Sequence, residues 1–228
     1  MSKLSASQKA GLISAAKQYS TQYEASPAEE LIVSRGLGAL AGKFGLGFVS
    51  EPVVGHERYR DHIAIPYLRP AGGQHAVATL RFRRVDSLVT AGAADLDEFE
   101  DSLAGAKYLS LPGHSPQLFN TQALLTHLPY VALCEGEFDA MAAEAAGVPA
   151  VGLPGVSSWR DHFDPAFAGF ETVFVLGDGD EAGRKFTHKM CERLPNAKGI
   201  DLGDGYDTNQ FIQQYGYEAF RGKLGLNG

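Results

Sequence analysis

Leu133-Cys134-Glu135-Gly136-Glu137-Phe138-Asp139, together with Leu176-Gly177-Asp178-Gly179-Asp180-Glu181-Ala182-Gly183, decides how this chain is read. Each stretch is the end of an apolar run that stops on carboxylates and passes at once into a helical pattern. Working outward, strands are expected at 130–134, 149–153, 172–176 and 197–201, with helices at 137–146, 158–168 and 180–194. Short connections and almost wholly apolar strands are the mark of a parallel sheet covered by helices on both faces. Two further helices, 207–215 and 217–224, close the chain.

In an open α/β sheet, ligands gather outside the carboxyl ends of the strands. Glu135 follows the first of these strands, Asp178 and Asp180 follow the third, and Asp204 and Asp207 follow the fourth. Any one Asp after a strand is ordinarily a helix N-cap. Carboxylates from three strand ends on one edge are instead the makings of a cation site. Hard oxygen donors with no histidine or cysteine beside them favour Mg²⁺ or Mn²⁺. Gly136 is read as letting the chain turn tightly behind Glu135, and Gly177 and Gly179 as bringing the backbone close to the cation, each able to take a positive φ at little cost. Ala182 and Gly183 are small enough to let a helix start flush against the sheet. Asp139, inside its helix, is read as structural.

The first half of the chain has a different pattern. Leu12, Ile13, Ala16, Tyr19 and Tyr23 give 5–24 an amphipathic helical period. Pro27 opens a second helix, and Arg35-Gly36 ends it. The glycine-rich segment 36–47 lacks the Gly-Lys-Ser/Thr of a phosphate loop, because Phe44 follows Lys43. It is expected to be a connection with a short helix. Residues 63–68 and 76–83 alternate as strands around a Pro/Gly-rich hairpin turn at 69–75. Arg81 and Arg83 then share one face, suited to phosphate oxygens, or simply solvated. Residues 86–106 are expected to form an exposed acidic loop or short helix, and Asn120 to cap a short helix running to His127. The natural boundary divides a mixed α+β lobe, 1–128, from an α/β lobe, 129–228.

The net charge is −7, but residues 1–130 hold 12 Lys and Arg against 12 Asp and Glu. The whole acidic excess therefore lies with the strand-end carboxylates, where bound cations would cancel part of it. No apolar run is long enough to span a membrane, and the first residues lack the apolar core of a signal peptide. A cytoplasmic location is expected. Cys134 and Cys191 form no CxxC pair, and Cys134 is read as a core residue.

Glu135-Gly136-Glu137-Phe138-Asp139 and Asp178-Gly179-Asp180-Glu181-Ala182-Gly183-Arg184 resemble the Toprim signature, shared by primases, topoisomerases, repair proteins and some nucleases. Tyr59-Arg60-Asp61-His62-Ile63-Ala64-Ile65-Pro66 resembles a run of the bacterial-type (DnaG-like) primase core. Lys107-Tyr108-Leu109 and Leu118-Phe119-Asn120 follow in the expected order. The chain thus resembles a phage-type primase catalytic core, with Ser110 where many primases carry Asn.

The resemblance implies a Toprim-type parallel sheet flanked by helices, and RNA primer synthesis on single-stranded DNA by two-metal nucleotidyl transfer. It implies catalytic Glu135, Asp178 and Asp180, with Asp207 as a further ligand to Mg²⁺ or Mn²⁺. Arg60, Arg81, Arg83, Lys107 and Arg184 would contact template or NTPs. A separate zinc-binding module and a replicative helicase are the implied partners, in the host bacterial cytoplasm if the protein is phage-encoded. A Toprim nuclease using the same carboxylates, or a non-catalytic Toprim scaffold, are the alternative readings.

Overall fold

The computed structural model describes residues 4–70, 76–85 and 107–226. The expected acidic loop at 86–106 and the tip of the hairpin, 71–75, lie outside the described residues.

Helix α1 (Ala6–Thr21) starts at a capping box in which Ser5 and Gln8 satisfy each other's backbone N–H. It buries Leu12, Ala15 and Tyr19, while Ile13 is largely exposed, so the apolar stripe is rotated slightly from the expected one. Ser26 caps α2 (Pro27–Ser34), with Pro27 at its first position and two glutamates in its first turn. A 3₁₀ turn at 38–40 and α3 (Ala41–Phe44) fill the glycine-rich segment, and Gly45 ends α3 in the left-handed conformation. An antiparallel sheet follows in the order β1 (Gly47–Phe48), β2 (His62–Leu68), β3 (Val77–Arg84), β4 (Tyr108–Ser110).

This sheet is buried on both faces. Ala64, Leu80 and Phe82 pack under α1 with Leu12 and Tyr19. Ile63, Ile65 and Tyr67 point the other way, into a cluster shared with Ala132, Phe138 and Phe174. Arg81 and Arg83 alternate with Leu80 and Phe82, so they too face the second half of the chain. The face read from sequence as solvated or phosphate-binding is therefore an interior contact surface.

The second half carries a parallel sheet in the order β6 (Ala150–Gly152), β5 (Tyr130–Cys134), β7 (Thr172–Leu176), β8 (Ala197–Gly199). Helices α4 (Glu137–Ala145), α5 (Glu181–Arg193) and α6 (Thr208–Leu224) accompany it. The two lobes share one hydrophobic cluster, from Ile32 and Phe44 to Met141 and Phe220.

Three expectations are corrected. The segment 158–168 is not an α-helix but two 3₁₀ pieces, at 156–158 and 161–166. Pro165 removes a donor, Arg160 is extended, and the Trp159 indole N–H bonds the Asp164 carboxylate instead of letting the turn propagate. Asn120 stands at the N-cap position of a 3₁₀ turn at Thr121–Leu125, shorter than expected, but it is left-handed and its side chain makes no capping bond; its side-chain N–H₂ donates to Glu144 and to the Ala150 carbonyl. The two closing helices run as one, broken at Gly216, whose φ of 83° is non-helical.

Candidate metal centre and nucleic-acid interface

Cys134 and Leu176 are partners in the β5–β7 register, so the residues that follow leave the sheet side by side. The Asp178 backbone N–H points at Glu135 Oε2, 3.5 Å away. Asp180 is the N-cap of α5 and accepts the Gly183 N–H at 2.8 Å. Asp207 is the N-cap of α6 and accepts the Gln210 N–H at 2.6 Å. Both aspartates thus cap helices, yet both also act on their neighbours. Burial, then Glu135, Asp207 and Asp180, push the Asp178 carboxyl up to about 6, while Lys107 pulls it down. Burial raises Glu135 as well, with Asp180 adding to it.

Asp139 is the residue sequence reasoning placed outside the site. It is buried in the first turn of α4 and accepts the Asn209 backbone N–H at 3.1 Å. Burial, Asp207 and Asp178 push it up to about 7. Its spacing from Glu135, one helical turn on, was the available signal.

The glycines act by close approach rather than by positive φ, which none of Gly136, Gly177 and Gly179 adopts. A Cβ on Gly179 would lie 2.2 Å from the Gly203 carbonyl oxygen, and Gly179 exchanges backbone hydrogen bonds with Tyr206 and Gly205. This docks the Asp178–Asp180 loop on the loop that delivers Asp207. A Cβ on Gly183 would lie 2.1 Å from the Asp178 carbonyl oxygen, so α5 starts flush against the sheet as expected.

Among the described residues, no three His, Cys, Asp or Glu side chains are already drawn into a coordination shell. The donor chemistry nonetheless fits a hard divalent cation. Several carboxylates raise one another's affinity for protons, which is the behaviour of negative charge that a cation would compensate.

The basic residues divide. Lys107 is exposed and close enough to act on Asp178. Arg184, in the first turn of α5, is exposed and pairs with Asp204 at 3.3 Å. Arg60 is exposed and bonded to the Ser50 carbonyl. Arg81 instead pairs with Glu137 at 2.6 Å, and Tyr67 donates to the same carboxylate oxygen at 2.8 Å. Arg83 is buried, bonded to the Tyr108 hydroxyl and stacked 4.0 Å from the Phe138 ring. These two arginines thus hold the motif segment 137–138 against β3 and offer little surface to a phosphate. Glu137 was missed because only tertiary structure shows that β3 faces it.

Comparison with known proteins agrees with this geometry. Residues 132–212 match the Toprim-like family. The RNA polymerase domain of Mycobacterium tuberculosis primase DnaG, in complex with a double-stranded DNA oligomer with a 6-nucleotide overhang, superposes with a TM-score of 0.72. It is 20% identical, and the match covers 95% of this chain and 78% of that one. The DNA primase of Halalkalibacterium halodurans is 34% identical over 94 residues, 39% of this chain but 16% of that protein. The fold is that of the DnaG primase catalytic core, with a Toprim-like region in its second half. The chain belongs to the family of the gene 57 protein of Mycobacterium phage D29, with which it shares 37% identity over 162 residues, 71% of this chain and 96% of that protein.

Proposed function

We propose that this chain makes short RNA primers on single-stranded DNA, and that Glu135, Asp178, Asp180 and Asp207 form its metal-dependent centre. One observation carries the reading: in a primase-core fold, three strand ends deliver carboxylates that act on one another, with Lys107 beside them. Asp178 and Asp180 would hold Mg²⁺ or Mn²⁺, and Asp207 would complete the set. When bound, such ions would supply Lewis-acid stabilisation of the charge that develops on the attacking and leaving oxygens. Glu135, whose proton affinity is raised, serves as a ligand or takes the proton of the 3′-hydroxyl. The protein's remaining contribution is positioning.

Exposed Lys107 and Arg184, beside the acidic loops, would meet the triphosphate of an incoming NTP, and exposed Arg60 suits template phosphates. Such contacts position a strand without reading its bases. Arg81 and Arg83 act from beneath, holding the motif segment to the N-terminal lobe. The division into lobes at 128–129 then separates template handling from metal chemistry. Initiation-site choice and coupling to unwinding fall to a zinc-binding module and a helicase. The D29 relative supports a phage origin, hence action in a bacterial cytoplasm; among the described residues no helix is long and apolar enough to cross a membrane.

The test is incubation with single-stranded DNA, labelled NTPs and Mg²⁺ or Mn²⁺, with and without a zinc-module partner. Short oligoribonucleotides are expected, and they should vanish in Asp178→Ala. Template degradation without new product would replace this reading with a Toprim nuclease. Metal-independent DNA binding without turnover would leave a scaffold.

A further inference from the structure

Strand β4 is three residues long and lies at the edge of its sheet, paired only with β3. Lys107 stands at its threshold, its carbonyl accepting the Arg84 N–H at 3.0 Å. The Lys107 ammonium is exposed and has no hydrogen-bond or ion-pair partner among the described residues, yet it acts on Asp178. A point charge on a flexible four-carbon stem finds its target only from a well-placed backbone. Three residues of edge strand supply little of that placement. Tyr108, the next residue, supplies the rest. It lies directly opposite Arg83 in the β3–β4 register, with Arg81 its diagonal neighbour on the same face. Arg83 Nη1–H donates to the Tyr108 hydroxyl at 2.9 Å. The guanidinium carbons of Arg83 and Arg81 lie 5.3 and 4.9 Å from the centre of the Tyr108 ring. Such cation–π packing strengthens where water is excluded, and Arg83 is buried. Burial, then Glu137, raises the Tyr108 hydroxyl above its usual range, so it stays protonated.

Both guanidiniums are fixed in turn to the start of α4. Arg83 packs on the Phe138 ring, and Arg81 pairs with Glu137, which also accepts the Tyr67 hydroxyl. Contacts therefore run without a gap from the turn just after Glu135 to the residue beside Lys107. We propose that Tyr108 is a positioning residue for Lys107, and that Arg81 and Arg83 serve the reaction through it. By tying β4 to the motif turn, the Tyr108 ring sets the Lys107 ammonium at the acidic loops. On the primase reading of that centre, on which this inference rests, the ammonium meets the triphosphate there. Two arginines that offer little surface to a phosphate thus still act on one, through a tyrosine and a lysine.

Position is measured first, without reference to activity. The full chain is reductively ¹³C-methylated on its lysines, which keeps their charge, and titrated with Mn²⁺. Paramagnetic broadening then reports how near each lysine methyl lies to the bound ion. The Lys107 signal, identified by its loss in Lys107→Arg, should be broadened in the wild type and in Tyr108→Phe, which retains the ring. It should sharpen in Tyr108→Leu. Kinetics come second. Tyr108→Leu should lower kcat/KM for NTP in primer synthesis by about 10- to 100-fold, the scale of a contact displaced by an ångström. Adding Tyr108→Leu to Lys107→Ala should cost nothing further, because one residue acts through the other. Arg83→Met, which leaves no described carboxylate without its partner, takes the place of Tyr108→Leu if that variant unfolds. A Lys107 signal that stays broadened in Tyr108→Leu, or losses that multiply in the double variant, would overturn the proposal. Mn²⁺ that broadens no lysine in the wild type would overturn the metal reading and the proposal with it. A broadened Lys107 in a wild type that makes no primers would overturn the primase reading alone, and the broadening in Tyr108→Leu then decides the positioning.

Discussion

Asp178 and Asp139 are held at about 6 and about 7, both above the ordinary aspartate value of 3.8. A carboxyl raised in the fold favours the folded chain while protonated, and that contribution is lost as pH climbs through the folded value. In EDTA, the thermal midpoint should therefore fall between pH 4 and pH 7.5 from these groups. Mg²⁺ should restore it at pH 7.5. Asp178→Asn should raise the metal-free midpoint at pH 7.5 by a few degrees and abolish most of the Mg²⁺ response. Melting curves over pH, with and without Mg²⁺, check this; a midpoint that rises with pH in EDTA and ignores Asp178→Asn would contradict it. Glu137 is a buried carboxylate with partners, Arg81 and Tyr67. Breaking a buried pair by removing one member costs about 3–5 kcal/mol. Glu137→Leu should lower the melting temperature by ~2–4 °C per kcal/mol lost. The triple change Tyr67→Phe, Arg81→Met, Glu137→Met should recover much of that loss, because no charge is then stranded. Denaturant titration of the three proteins measures it.

Elements bring these residues together through backbone contact. Gly179 is enclosed by the carbonyl of Gly203 and the backbone N–H groups of Gly205 and Tyr206. Gly179→Ala must push the two acidic loops apart, at the ~1–3 kcal/mol typical of overpacking. Mg²⁺ affinity should drop in the same variant, which calorimetry would show. Gly216 differs: a Cβ there meets nothing, but its φ of 83° strains any other residue. Gly216→Ala should cost about 1 kcal/mol or more and leave Mg²⁺ affinity in place. Unchanged stability in Gly179→Ala would show that the loops are not packed as described. Apolar runs and carboxylate ends made strands β5 to β8 and helices α4 to α6 legible from sequence to within a few residues. The segment 158–168 was not, because its apolar residues Trp159, Phe163 and Phe167 point inward from 3₁₀ turns, and a hydrophobic count cannot tell a 3₁₀ turn from a helix.

At the scale of the whole molecule, one hydrophobic cluster crosses between the lobes, and the Tyr67–Glu137–Arg81 contact crosses with it. The lobes should therefore melt in a single transition by both near-UV and far-UV circular dichroism; two separated transitions would mean that the shared core does not couple them. The parallel sheet and the acids at its strand ends were legible in the sequence alone, because each follows from local pattern: hydrophobic period, glycine, and an acid after the strand; the side-chain cap expected of Asn120 was not. Which charges are exposed and which are buried was decided only by the tertiary structure. Arg60, Arg81, Arg83 and Lys107 are equivalent as letters, yet two face solvent and two are clamped between lobes. The same holds for Asp139, structural by position in its helix, but set among acids by α6, some 70 residues further along the chain. Burial and electrostatic neighbourhood depend on contacts between distant segments, and no local pattern encodes those.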